Sequence, residues 1–164
     1  MLRVNRALMY LMIIIIAFLH ATVLNGPTKH GLKPDLLLTA VIFFGLFGKQ
    51  RIGLEAGILA GIMQGVFSLN EVWVSALAYG MAGYVAGRNH NRFYRESIFV
   101  QSILTFAGVI VTYIMAYFCY KYLTESAAYQ AIMPILLPCA LYTAIIAPLV
   151  FFILKKTVKP VIYQ

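Results

Sequence analysis

Charge is what this sequence has least of. Asp, Glu, Lys and Arg make up 11% of its 164 residues, and only five residues are acidic. A soluble domain of ordinary composition carries about 25% charged residues, so a water-exposed globular fold is excluded. Cysteine is scarcer still. Cys119 and Cys139 lie inside apolar blocks with no CxxC or metal-ligand spacing, which argues for apolar packing rather than a disulfide framework or a zinc site. Catalytic signatures are missing too. There is no HExxH, GxSxG or Walker A loop, no carboxylate pair inside an apolar block, and His20, His30 and His90 are isolated. The expectation is a chain that is not an enzyme and holds no metal or cofactor.

What is present is hydrophobic: 62% of the residues, with a mean hydropathy of +0.86, laid out in long blocks. The pattern predicts a polytopic membrane protein, all-α, with one domain over residues 1–164. Six transmembrane helices are expected, at 7–24, 35–48, 52–69, 72–87, 97–122 and 131–154. The first follows Arg3 and Arg6. Its apolar run is long enough to span and is followed by no small-x-small cleavage site, so it reads as a retained helix rather than a signal peptide. The second opens at Pro34, with Asp35 in its first turn, where the helix dipole favours an anion. At about 21 Å it is short for a hydrocarbon core of about 30 Å, and is the weakest span. Pro134, Pro138 and Pro148 predict kinks in the sixth.

The net charge of +8 has no stripe of basic residues interleaved with exposed aromatics, so nucleic acid is not an expected partner. Six spans put both termini on one side. Ten basic residues (Arg3, Arg6, Lys49, Arg51, Arg88, Arg92, Arg95, Lys155, Lys156, Lys159) then face the cytoplasm, and three (Lys29, Lys33, Lys121) face outward. That asymmetry is the positive-inside pattern, with an added attraction to the anionic lipid of the bilayer. Tyr113, Tyr117 and Tyr120, near the outer end of the fifth helix, read either as an interfacial aromatic belt or as a face for an outer partner.

The segment GLEAGILAGIMQG places Gly53, Gly57, Gly61 and Gly65 at every fourth position. Glycine costs a water-exposed helix roughly 1 kcal/mol relative to alanine. In lipid, small residues let helix backbones approach closely, which drives association. The four glycines drift only about 40° per step and form one groove. Ala76, Gly80, Gly83 and Gly87 make a matching face on the next helix. The two faces pack on each other, or the groove receives a helix of another protein. Gln64 falls within the groove and could bridge helices by hydrogen bonding. Glu55 lies roughly opposite. It is either a functional intramembrane carboxylate or an interfacial ion pair with Arg51, four residues earlier.

Several of these features occur together between Lys33 and Arg88. They are Pro34-Asp35, the basic turn Lys49-Gln50-Arg51, the glycines from Gly53 to Gly65, the polar break Ser68 to Glu71, and Ala76-Leu77-Ala78 with Gly83 and Gly87 closing the helix. In this the segment resembles the MreD family of rod shape-determining membrane proteins. It departs from the family where Gln64 replaces a common Asp, and where FSLNEVW replaces a Ser-Gly turn. The resemblance implies a non-catalytic scaffold in the bacterial cytoplasmic membrane. The implied partners are an MreC-like single-pass protein, a RodA-like polymerase with its penicillin-binding transpeptidase, and MreB filaments. A rival reading is the substrate-binding subunit of an energy-coupling-factor vitamin importer. Such subunits also have six helices and could share the fold, and Ala17-x-x-x-Ala21 resembles their small-residue docking motif. A proton-coupled permease, resting on Glu55 alone, ranks last.

Overall fold

The computed structural model describes residues 6–23, 34–68, 72–89, 97–122 and 129–162. The links bearing Lys29, Lys33, His30, His90, Arg92 and Arg95, the Asn70-Glu71 break and Arg3 lie outside the described residues. All secondary structure among the described residues is helical: α1 Arg6–Val23, α2 Leu36–Ser68, α3 Val72–Arg88, α4 Ile98–Tyr122 and α5 Tyr129–Ile162. Among the described residues five helical elements therefore stand where six were expected, because α2 unites two helices across a kink. The difference lies at Lys49. The expected second and third helices are continuous in α2 except for this one residue, at φ 72° and ψ 178°.

That single residue reverses the chain. A Cβ built on Gly53 would lie 2.9 Å from the Cα of Gly45, although eight residues of straight helix rise about 12 Å. The halves of α2 thus run back along each other. Gly48 permits the reversal, because a Cβ there would fall 2.5 Å from the Ile52 side chain.

The first half of α2, the weakest expected span, is the centre of the molecule. Leu37, Leu38, Val41, Ile42, Phe44 and Leu46 are buried, and Phe43 packs edge-on to Phe44 and to Phe151 of α5 with ring centroids 5.4 Å away in each case. A helix enclosed by protein needs less apolar length than one facing lipid. α2 touches all four other helices, α1 through Met9, Ile13 and Ala17, buried at four-residue intervals. On the α4 side, a Cβ on Gly108 would sit 2.6 Å from Ile42 Cδ1. Helical assignment in α5 continues through Pro134, Pro138 and Pro148. Among the described residues, three helical elements are by length and composition apolar enough to cross a membrane: Leu36–Phe67, counted across the reversal at Lys49, Ile98–Tyr122 and Pro134–Val158. Arg6–Thr22 is a shorter apolar helix.

Candidate functional site

Small residues bring α2 and α3 together. A Cβ on Gly57 would lie 2.8 Å from the Gly80 Cα, one on Gly61 2.5 Å from the Ala76 Cα, and one on Gly65 2.6 Å from the Val72 Cα. Gly53, Gly45 and Gly83 converge at one crossing, where a Cβ on Gly45 would be 2.9 Å from the Gly83 carbonyl oxygen. At the far end of α3, a Cβ on Gly87 would meet the Gln50 Cα at 2.6 Å. These contacts are backbone against backbone, so none can give way by a side-chain rotation.

The platform holds a polar cluster around Asp35. This residue precedes α2 rather than standing in its first turn. It acts as the N-cap: the Leu38 N–H donates to Asp35 Oδ1 at 2.9 Å, satisfying one of the free donors of the first turn. The Tyr79 hydroxyl of α3 donates to the other carboxylate oxygen. The Asp35 N–H donates to Thr143 Oγ1 of α5 at 3.0 Å, and the Thr143 hydroxyl donates to the Cys139 carbonyl at 2.7 Å. Tyr113 of α4 completes the set, its hydroxyl 3.3 Å from Cys139 Sγ. Asp35 is 6% exposed, Tyr79 5% and Thr143 1%. Asp35 thus connects α2 with α3 through its carboxylate and with α5 through its backbone N–H, and Cys139 adds α4. An unpaired buried polar group costs about 1–3 kcal/mol, so each member constrains the others.

Beside the cluster lies a cavity of about 150 Å³. Asp35, Gln64, Ser75, Tyr79, Thr112, Tyr113 and Tyr120 supply its polar lining. Gln64, within the glycine groove in the sequence, is half-buried at this cavity rather than sealed between α2 and α3. Of the three α4 tyrosines read as a belt or an outer face, Tyr117 lies under Lys121 Nζ, outside the cavity. Tyr113 and Tyr120 turn inward to the cavity, and Tyr120 is 8% exposed.

Glu55 sits elsewhere, and its partner is not Arg51. Arg6 Nη2 lies 3.5 Å from Glu55 Oε1, and the Tyr10 hydroxyl donates to Oε2 at 3.2 Å, so the carboxylate joins α2 to α1. Arg51 turns instead into a basic indentation with Lys49 and Arg88. Ala17 is buried in the chain's own core at 1% exposure, which takes it out of an outward docking face with Ala21. Cys119 and Cys139 are buried and not joined in a disulfide. No group of His, Cys, Asp and Glu side chains among the described residues is arranged to hold a metal ion.

Tyr79, Ser75, Thr112 and Thr143 were not singled out in the sequence. Their signal is a hydroxyl inside an apolar or small-residue face, where a buried oxygen needs a partner.

A family model described as rod shape-determining protein MreD matches residues 1–157, well beyond the motifs between Lys33 and Arg88. No curated protein and no solved structure matches the chain. With its apolar helices and a family match over essentially its whole length, the chain belongs to the MreD family of rod shape-determining proteins.

Proposed function

We propose that this chain is a non-catalytic membrane scaffold of the bacterial rod-shape (elongation) complex. Family membership over residues 1–157 carries the reading, because it supports a role in rod shape determination. In this proposal the two halves of α2 cross the cytoplasmic membrane separately. The chain then passes six times, with both termini cytoplasmic, an orientation favoured by ten basic residues against three. It associates with an MreC-like single-pass protein and, together with it, links cytoplasmic MreB filaments to a RodA-like polymerase and its penicillin-binding transpeptidase. Its contribution is shape, directing side-wall peptidoglycan synthesis without a substrate of its own.

The geometry supports this reading in two ways. The Asp35 cluster binds helices of the chain to one another, and the α4 and α5 faces bearing Ile103, Phe118, Ile145 and Leu149 are exposed to lipid or to partner helices. The vitamin-importer reading fares worse. Small-molecule pockets begin at roughly 300 Å³ and are mostly apolar; the cavity beside Asp35 is about 150 Å³, and the larger indentation of about 420 Å³ is lined by four cations. The test is depletion in a rod-shaped host that lacks a second copy. Cells are expected to round and to regain normal width when the gene is restored. Rods that persist after complete depletion would remove the assignment.

A further inference from the structure

The end of the molecule opposite the Asp35 cavity carries an indentation of about 420 Å³. Its cations come from three parts of the chain: Arg6 of α1, Lys49 and Arg51 at the break in α2, and Arg88 at the end of α3. Among the described residues, Arg6 pairs with Glu55, while no carboxylate pairs with Lys49, Arg51 or Arg88. Like charges gathered this way repel unless an anion lies between them.

The positive-inside rule accounts for basic residues on this side of the membrane. It does not account for their convergence on one concavity, nor for the rigidity of its wall. The 49–50 backbone rests on Gly87, where a Cβ would lie 2.6 Å from the Gln50 Cα and 2.7 Å from the Lys49 carbonyl carbon. Lys49 is the one described non-glycine residue with positive φ. Its backbone occupies a region that glycine enters far more readily, and such strain concentrates at functional sites. The residue bearing the strain is a cation that lines the indentation. Below it, Leu54, Ile58 and Ile62 are exposed at four-residue intervals along α2, an apolar track for a chain attached to whatever anion is held above.

We infer that this indentation is a binding site for a phosphate-bearing ligand, supplied by the headgroup of an anionic membrane lipid whose acyl chain runs along Leu54, Ile58 and Ile62. Arg51 and Arg88 present planar forks suited to phosphate oxygens, and Lys49 adds a point charge. The site is separate from the contacts invoked for scaffolding and does not depend on which proteins the chain assembles with.

The experiment uses the full chain in neutral detergent, with fluorescent phosphatidylglycerol and phosphatidylcholine as competing probes and thermal melting as the folding control. The wild-type chain is expected to prefer phosphatidylglycerol. The double variant Arg51→Gln/Arg88→Gln should lower that preference about thirtyfold, and Lys49→Gly about fivefold. Lys156→Gln, on α5 outside the indentation, should change it less than about twofold. Lys49→Gly is the decisive variant, because removing the strain should hold or raise the melting temperature while the preference falls. An unchanged preference in the folded indentation variants, or an equal loss in Lys156→Gln, would overturn the site. Displacement of the lipid by millimolar inorganic phosphate as effectively as by unlabelled phosphatidylglycerol would show a free-anion site and overturn the lipid assignment.

Discussion

Of the most apolar stretch of α2, 67% is buried inside the molecule, against 22% for α4 and 28% for α5. Yet α2 carries Lys49, Gln50, Arg51, Glu55 and Gln64, whereas α5 has no Asp, Glu, Lys or Arg between Pro134 and Leu154. In water the more apolar helix would be the inner one. In a bilayer the surroundings are as apolar as leucine, so hydropathy cannot sort inside from outside. Close approach does so instead. α2 and α3 meet through Gly53, Gly57, Gly61 and Gly65, while α4 and α5 turn large side chains such as Phe99, Ile145 and Phe152 outward. One region is thus specified by what its side chains leave out. The other is specified mainly by compatibility with its surroundings.

The widest separation between the two regions should come from changes in side-chain bulk. Gly57→Leu places a branched side chain where a single Cβ would already lie 2.8 Å from the Gly80 Cα. Overpacking of this kind costs on the order of 3 kcal/mol or more when only backbone could yield. Folded protein should be lost on size exclusion in detergent. Ile145→Ala, at a residue 76% exposed on α5, should change stability by no more than about 0.5 kcal/mol. Equal melting temperatures for the two variants would erase the distinction.

A smaller effect is expected at Asp35. Asp35→Ala removes the cap on Leu38 and leaves the buried Tyr79 hydroxyl without its acceptor. Capping is worth about 0.5–2 kcal/mol and a stranded buried group about 1–3 kcal/mol, so a loss of roughly 2–4 kcal/mol is expected. Asp35→Asn keeps a capping oxygen and should lose less. Combining Asp35→Ala with Tyr79→Phe should cost clearly less than the sum of the two. Thermal melts that add to within about 0.5 kcal/mol would mean the two side chains do not interact.

The sequence made the inner region partly legible. Four-residue glycine spacing and the Ala76 to Gly87 face identify surfaces capable of backbone contact, and the basic turn at Lys49 marks where the chain reverses. Geometry fixed by distant residues was not legible. Asp35 meets Tyr79 and Thr143 across 44 and 108 residues, and no local period encodes such a pairing. Gly45 reads as one glycine in an apolar run, and only the reversal at Lys49 brings it beside Gly53 and Gly83. The short second block looked deficient because length was judged against lipid, whereas its surroundings are protein. At Glu55 the local rule misled. Arg51 has helical spacing, but α1 brings Arg6 and Tyr10 to the carboxylate instead.

Glu55 therefore offers the smallest change, and one that separates shape from charge within α2 itself. Glu55→Gln keeps the side-chain length and an acceptor for Tyr10 while removing the negative charge beside Arg6. The side chains of Arg6 and Glu55 are 62% and 34% exposed and 3.5 Å apart, and exposed pairs of this kind contribute about 0–1 kcal/mol. Melting should shift by little, and the variant should restore normal width when it replaces the native copy in a depleted rod-shaped host. A proton-coupled carrier requires the opposite, because a carboxylate that changes charge in each cycle cannot be replaced by an amide. The measurement is cell width and length at matched protein level. Rods would place the requirement on packing, as the buried α2 region implies. Round cells with normal amounts of folded protein would make Glu55 a functional charge and end the reading of this chain as a scaffold alone.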